Sequence, residues 1–117
     1  MQLKLATYNI HRCIGTDRVR SPERIRTVLE QMDPDIVALQ EVEYAETPDE
    51  LGLTGGRDKF LAITGPTVTS EKATYGNILL TRHEVVETRK INLSYPGQEK
   101  RGAIDADINC GGRIIRV

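Results

Sequence analysis

Aromatic residues are scarce in this chain of 117 residues, which has no tryptophan, one phenylalanine and four tyrosines. Its core must therefore be built from aliphatic side chains. Cysteine is scarce too: Cys13 and Cys110 do not make a disulfide framework. Both read as small buried hydrophobes of a reducing compartment. No apolar run reaches the length of about 20 residues that crosses a bilayer. The opening Met1-Gln2-Leu3-Lys4-Leu5 lacks the charged start, apolar stretch and cleavage site of a secretory signal. A cytoplasmic location is the expectation.

An excess of one charge is also missing. Sixteen basic against seventeen acidic residues leave a formal charge of -1. That excludes a basic protein coating nucleic acid by phosphate neutralisation, and an acidic disordered tail. There is no internal repeat. Gly15 stands alone after the first strand, so no glycine-rich phosphate loop supports a dinucleotide fold. No Ser or Cys sits in a nucleophile elbow.

Apolar residues make 38% of the chain and ten glycines accompany them, enough for one ordinary domain. Residues 3–10 alternate as a strand should. Ser21 can cap a helix and Pro22 suits its first position. Ile25, Val28, Leu29 and Met32 then form one apolar stripe, and Asp33-Pro34 stops the helix. Ile36-Val37-Ala38-Leu39 reads as a buried strand ending at Gln40-Glu41. Strand, helix and strand make one right-handed βαβ unit. The polar stretch from Glu43 to Asp58 reads as a loop, and Lys59–Thr64 as a short strand. Asn77–Thr81 and Val85–Leu93 read as a hairpin around Arg82-His83-Glu84. Arg101–Asn109 alternates, with Gly102, Ile104, Ala106 and Ile108 on one face. Cys110-Gly111-Gly112 turns the chain into a last strand. The expectation is a mixed sheet with one main helix on one face, and nothing in the chain to cover the other.

Two parallel strands of a βαβ unit end at one sheet edge, where ligands of open α/β sheets gather. Asn9 and Glu41 sit there. Glu41 offers hard oxygens to Mg²⁺ or Mn²⁺, and the Asn9 amide can bond a phosphate oxygen without adding charge. Any βαβ unit can also end in polar residues for structural reasons alone.

Thr7-Tyr8-Asn9-Ile10-His11 and Asp33-Pro34-Asp35-Ile36-Val37-Ala38-Leu39-Gln40-Glu41-Val42 together resemble the opening of the endonuclease/exonuclease/phosphatase superfamily. That superfamily includes pancreatic-type deoxyribonuclease, abasic-site endonucleases, sphingomyelinases and inositol polyphosphate 5-phosphatases. Tyr75-Gly76-Asn77-Ile78-Leu79-Leu80-Thr81-Arg82 is similar to its Gly-Asn-x-Ile-Leu-Ser-Arg strand. Glu99-Lys100-Arg101-Gly102-Ala103 resembles its Glu-x-Arg-Gly strand start. The resemblance implies that Glu41 binds the divalent metal and that Asn9 lies near metal and scissile phosphate. It also implies that Arg101 and Asn77 border the phosphate cleft. The implied chemistry is in-line attack of an activated water on phosphorus, with nucleic acid, phospholipid or inositol phosphate as substrate.

Full superfamily members are about twice as long. Their later Asp-x-Asn, Thr-His and terminal Asp-His motifs have no match here, and neither His11 nor His83 corresponds to a catalytic histidine. The resemblance thus implies that residues 1–117 are the N-terminal half of a four-layer α/β/β/α sandwich, poorly active or inactive alone. With one apolar sheet face bare, a homodimer packed through its sheet faces is expected. The competing class is a non-catalytic α/β module that self-associates through that face and binds no metal. Outside this constellation, Arg12, Arg18, Arg20, Arg24 and Arg26 could hold a phosphate or simply form a solvated face. Asp105 and Asp107 share one strand face, which could grip a cation or merely be wet. His11 and Cys13 are too few for a zinc site.

Overall fold

The computed structural model describes residues 2–54 and 60–117. Helix α1 (Pro22–Met32) starts and stops where its sequence signals lie. Ser21 Oγ accepts the Arg24 N–H, Pro22 occupies the first turn, and Asp33 closes the helix in the left-handed region. The stripe of α1 buries Ile25 and Leu29.

Strand β1 (Leu5–Asn9) runs parallel to β2 (Ile36–Tyr44), in register from Leu5 opposite Ile36 to Asn9 opposite Gln40. Strands β3 (Leu61–Thr69) and β4 (Thr74–Thr81) complete a four-stranded mixed sheet in the order β1-β2-β4-β3. Strands β5 (Glu84–Asn92), β6 (Gly102–Cys110) and β7 (Arg113–Arg116) form a separate antiparallel sheet. α1 packs on one face of the first sheet. Its Ile25 and Leu29 meet Val37, Leu39, Val42, Ile78 and Leu80. On the other face Ile36, Ile63 and Leu79 meet Ala106, Ile108 and Cys110 of the second sheet. The described residues thus make three layers, α/β/β, around two aliphatic cores. Both cysteines are free and buried, and burial pushes each thiol pKa up.

Five expectations need correction. Residues 77–81 and 85–93 do not pair as a hairpin. β4 pairs with β2 and β3, whereas β5 pairs with β6. Thr81 Oγ1 accepts the His83 N–H at 3.0 Å and bends the chain out of the first sheet; a turn signal does not say which sheet the next strand joins. The strand read as ending at Glu41 runs on to Tyr44. The loop expected from Glu43 to Asp58 accordingly starts later and contains a short 3-10 turn at Pro48–Leu51; its Gly55–Asp58 end lies outside the described residues. Lys59 does too, but the strand that follows reaches Thr69, passing Gly65-Pro66 through a register shift. Finally, the inner face expected to be bare is covered by β5–β7, except towards β1, where Leu5 is 57% exposed. The ground for a face-to-face homodimer shrinks to that strip.

Gly76 shows how closely the first sheet is built. A Cβ there would collide with the Gly65 carbonyl oxygen and lie 2.8 Å from Pro66 Cα. Gly76→Ala is expected to cost about 1–3 kcal/mol by overpacking backbone against backbone, read as a lower urea midpoint.

Candidate active site

Strand β2 alternates regularly up to Leu39. Val37 and Leu39 face α1, while Ile36 faces the second sheet. Then Leu39 pairs with Ile78 but Val42 pairs with Gly76, so Gln40 and Glu41 together oppose the single residue Asn77. This is a β-bulge, a device that re-aims a side chain beside a site. Val42 and Tyr44 resume on the α1 face. Glu41 takes the strain with φ +55, a left-handed conformation costing a non-glycine residue on the order of 1 kcal/mol. The extra residue is the acid that the sequence singled out.

A second strained segment lies next to it. His11, Arg12 and Cys13, just beyond β1, all have positive φ (48, 57 and 63). This turn brings the His11 backbone N–H onto Asn9 Oδ1 at 3.2 Å and His11 Nδ1 to 3.0 Å from Glu41 Oε2. The other oxygen, Glu41 Oε1, accepts the Tyr75 hydroxyl at 3.3 Å. Burial, followed by the neighbouring Glu41 charge, raises the Tyr75 pKa and keeps the phenol a donor. The Arg12 guanidinium lies 5.2 Å from the Tyr75 ring centre and reaches Glu43 at 3.4 Å.

The four residues singled out by sequence come together: Asn9, Glu41, Asn77 and Arg101 line one cleft of about 430 Å³ at the edge between the two sheets. Asn77 Nδ2 donates to the Gly102 carbonyl at 2.9 Å and ties β4 to the start of β6. Arg101 is exposed and meets Glu99 at 3.1 Å. Sequence reasoning missed Gln40, Tyr75 and Lys100, which also line the cleft. Tyr75 and Lys100 lie inside the quoted motifs, beside Gly76-Asn77 and Arg101, which was the available signal.

The remaining candidates go elsewhere. Arg24 is held bidentate by Asp17 at 2.9 and 3.1 Å, which answers one member of the arginine cluster internally. Asp105 and Asp107 are bridged by Arg89, not arranged around a cation. Cys13 is buried, whereas His11 turns to Glu41. Among the described residues, no three His, Cys, Asp or Glu side chains converge, and no helix is long and apolar enough to cross a membrane.

A sequence profile of the Endonuclease/Exonuclease/phosphatase family matches residues 6–114. The chain belongs to that family. Solved structures share its fold. An endonuclease/exonuclease/phosphatase from Beutenbergia cavernae superposes with a TM-score of 0.74 at 22% identity, over 98% of this chain and 37% of that one. An AP endonuclease from Archaeoglobus fulgidus gives 0.61 at 21% identity, over 98% and 40%. A mannosyl-6-phosphatase from Bacteroides thetaiotaomicron gives 0.70 at 18% identity, over 98% and 49%. The chain therefore spans less than half of each of these three proteins. No curated protein sequence matches it at a significant level.

The cleft can be tested against the divalent cation associated with the endonuclease/exonuclease/phosphatase family. The Glu41 side chain is 37% exposed and opens onto the cleft. With the Asn9 amide oxygen it presents hard donors. Mg²⁺ is commonly held by one or two carboxylates while keeping several waters. The donor set fits such an ion.

Proposed function

We propose that the chain is one half of a divalent-metal-dependent phosphoesterase domain that hydrolyses phosphate esters. The observation that carries this reading is the meeting of Asn9, Glu41, Asn77 and Arg101, from four separate segments, in one cleft. Glu41, with Asn9 beside it, would hold Mg²⁺ or Mn²⁺, which when bound supplies positive charge to phosphate oxygens. Asn9 and Arg101 position the phosphoryl group by hydrogen bonds and charge, and Asn77 forms the wall. The family and its fold neighbours support phosphate esters as the substrate class, and the family resemblance leaves nucleic acid, phospholipid and inositol phosphate as candidates within it.

Two observations support the half-domain. The chain covers 37% of the Beutenbergia cavernae protein while 98% of its own length is matched. Leu5, paired with the inter-sheet residue Ile36, is left exposed at the β1 end of the inner face, as an incomplete sandwich requires. On this reading the isolated chain turns over phosphodiesters poorly or not at all. Free, buried cysteines support the cytoplasm as its location. A face-to-face homodimer forms no part of this reading, because the chain's own second sheet occupies most of the face it would pair.

Isothermal titration with Mn²⁺ tests the reading. Wild type is expected to bind one ion, and Glu41→Gln to lose that binding with its far-UV circular dichroism unchanged. Equal binding by the two proteins, or none by wild type, would favour the non-catalytic α/β module.

A further inference from the structure

The feature left unexplained is His11. Its side chain is 70% exposed, so the hydrophobic effect does not hold it in place. It nevertheless lies against Glu41, carried there by three consecutive left-handed residues, none of them glycine. Strain of this kind persists where the surroundings dictate it, and it clusters at functional sites. The same residue also fixes Asn9 through its backbone N–H. Among the described residues, His11 is thus the one bonded to both proposed metal-site side chains.

The spacing of the donors is informative. Two atoms bound side by side to one octahedral ion, each at about 2.1 Å, stand about 3.0 Å apart. His11 Nδ1 and Glu41 Oε2 are 3.0 Å apart. Tyr75 engages the opposite oxygen, Oε1, so its bond does not compete for Oε2. An imidazole is a poor partner for Mg²⁺, which favours oxygen, but a good one for transition metals.

We propose that His11 Nδ1 is a metal ligand alongside Glu41 Oε2, and that it turns the site's preference from Mg²⁺ towards Mn²⁺. This rests on the reading of Glu41 as a metal ligand. The site then has one nitrogen and one carboxylate from the protein, with Asn9 held beside them. The remaining positions belong to water and to substrate oxygens. A purely structural His11, donating to Glu41 as a fixed brace, would leave no nitrogen on the metal.

Pulsed electron paramagnetic resonance of the chain loaded with Mn²⁺ alone distinguishes the two. Wild type is expected to show ¹⁴N coupling of a bound imidazole, replaced by ¹⁵N coupling when the protein is made with ¹⁵N-histidine. His83, across the fold beside Asp35, does not reach the ion, so the labelled signal reports His11. In titrations, His11→Ala is expected to weaken Mn²⁺ about tenfold, within the range that perturbing a metal's ligand environment produces, and to change Mg²⁺ affinity less than twofold. A Mn²⁺ complex of wild type without histidine nitrogen coupling overturns the proposal, even if His11→Ala does not fold. Equal losses for both ions in a folded His11→Ala protein overturn the selectivity. Glu41→Gln keeps the two readings apart. If it binds Mn²⁺ like wild type, the phosphoesterase site itself fails. If it loses Mn²⁺ while wild type shows no nitrogen coupling, only the role of His11 fails.

Discussion

Ile108→Asp is expected to leave the chain without a stable folded state. Ile108 is fully buried between the sheets, in the cluster with Ile36, Ile63 and Leu79. Truncating such a residue to Ala alone costs about 2–5 kcal/mol. A carboxyl group placed there without a partner adds several kcal/mol of desolvation. Together these approach the whole stability of an ordinary domain, about 5–15 kcal/mol. Ile114→Asp is the control. Ile114 pairs with Asn109 on the outer side of the second sheet and is 57% exposed, so its replacement should stay within about 0.5 kcal/mol of wild type. Circular dichroism and urea unfolding decide it. If the Ile108 variant keeps a wild-type midpoint, the two sheets do not form a common core.

The second large effect concerns acid. On the outer side of the second sheet Asp105 has a side chain only 16% exposed, between Arg89 at 2.9 Å and Arg116 at 2.6 Å. Hydrogen bonds from Arg116 and then Arg89 hold its pKa far below the ordinary carboxylate range. Arg89 also binds Asp107 at 2.8 Å and lowers its pKa. A depressed folded-state pKa stabilises the fold above the unfolded carboxylate value, about 3.9, and that contribution is lost as pH falls towards the folded value. Asp105→Asn should therefore be clearly less stable than wild type at pH 7. The gap should narrow steadily as pH drops below about 4, because the unfolded carboxyl takes up a proton there while the folded one stays ionised. Urea midpoints measured at several pH values test this, and a gap independent of pH would mean that Asp105 acts through packing rather than through its charge.

Local signals in this chain were readable and long-range ones were not. Ser21-Pro22, the stripe ending at Met32 and the stop at Asp33-Pro34 are contacts of a helix with itself, and α1 follows them. The alternation of Ile104, Ala106 and Ile108 likewise placed those residues on one buried face. Which sheet β5 joins depends on pairing with β6, more than a loop away, and Arg82-His83 carries no trace of it. At the site, Asn9 and Glu41 were visible because strands of a βαβ unit share an edge; Asn77 and Arg101 entered through the family resemblance. The ties from Tyr75 and His11 to Glu41 were not visible, since they span 34 and 30 positions along the chain. The sequence holds one further signal. The buried pattern Val37, Leu39, then Val42 and Tyr44 skips a step, and that skip is the bulge.

The skipped step lets one strand serve two ends through a simple count. Were the segment between Leu39 and Val42 shortened by one residue, regular alternation alone would keep Val42 and Tyr44 on the α1 side. The oily side chains would then keep their partners while the carboxylate lost its aim. A deletion here is penalised by chemistry rather than by stability, whatever letters occupy the two positions. Among relatives, the length of this short stretch should drift more slowly than its spelling.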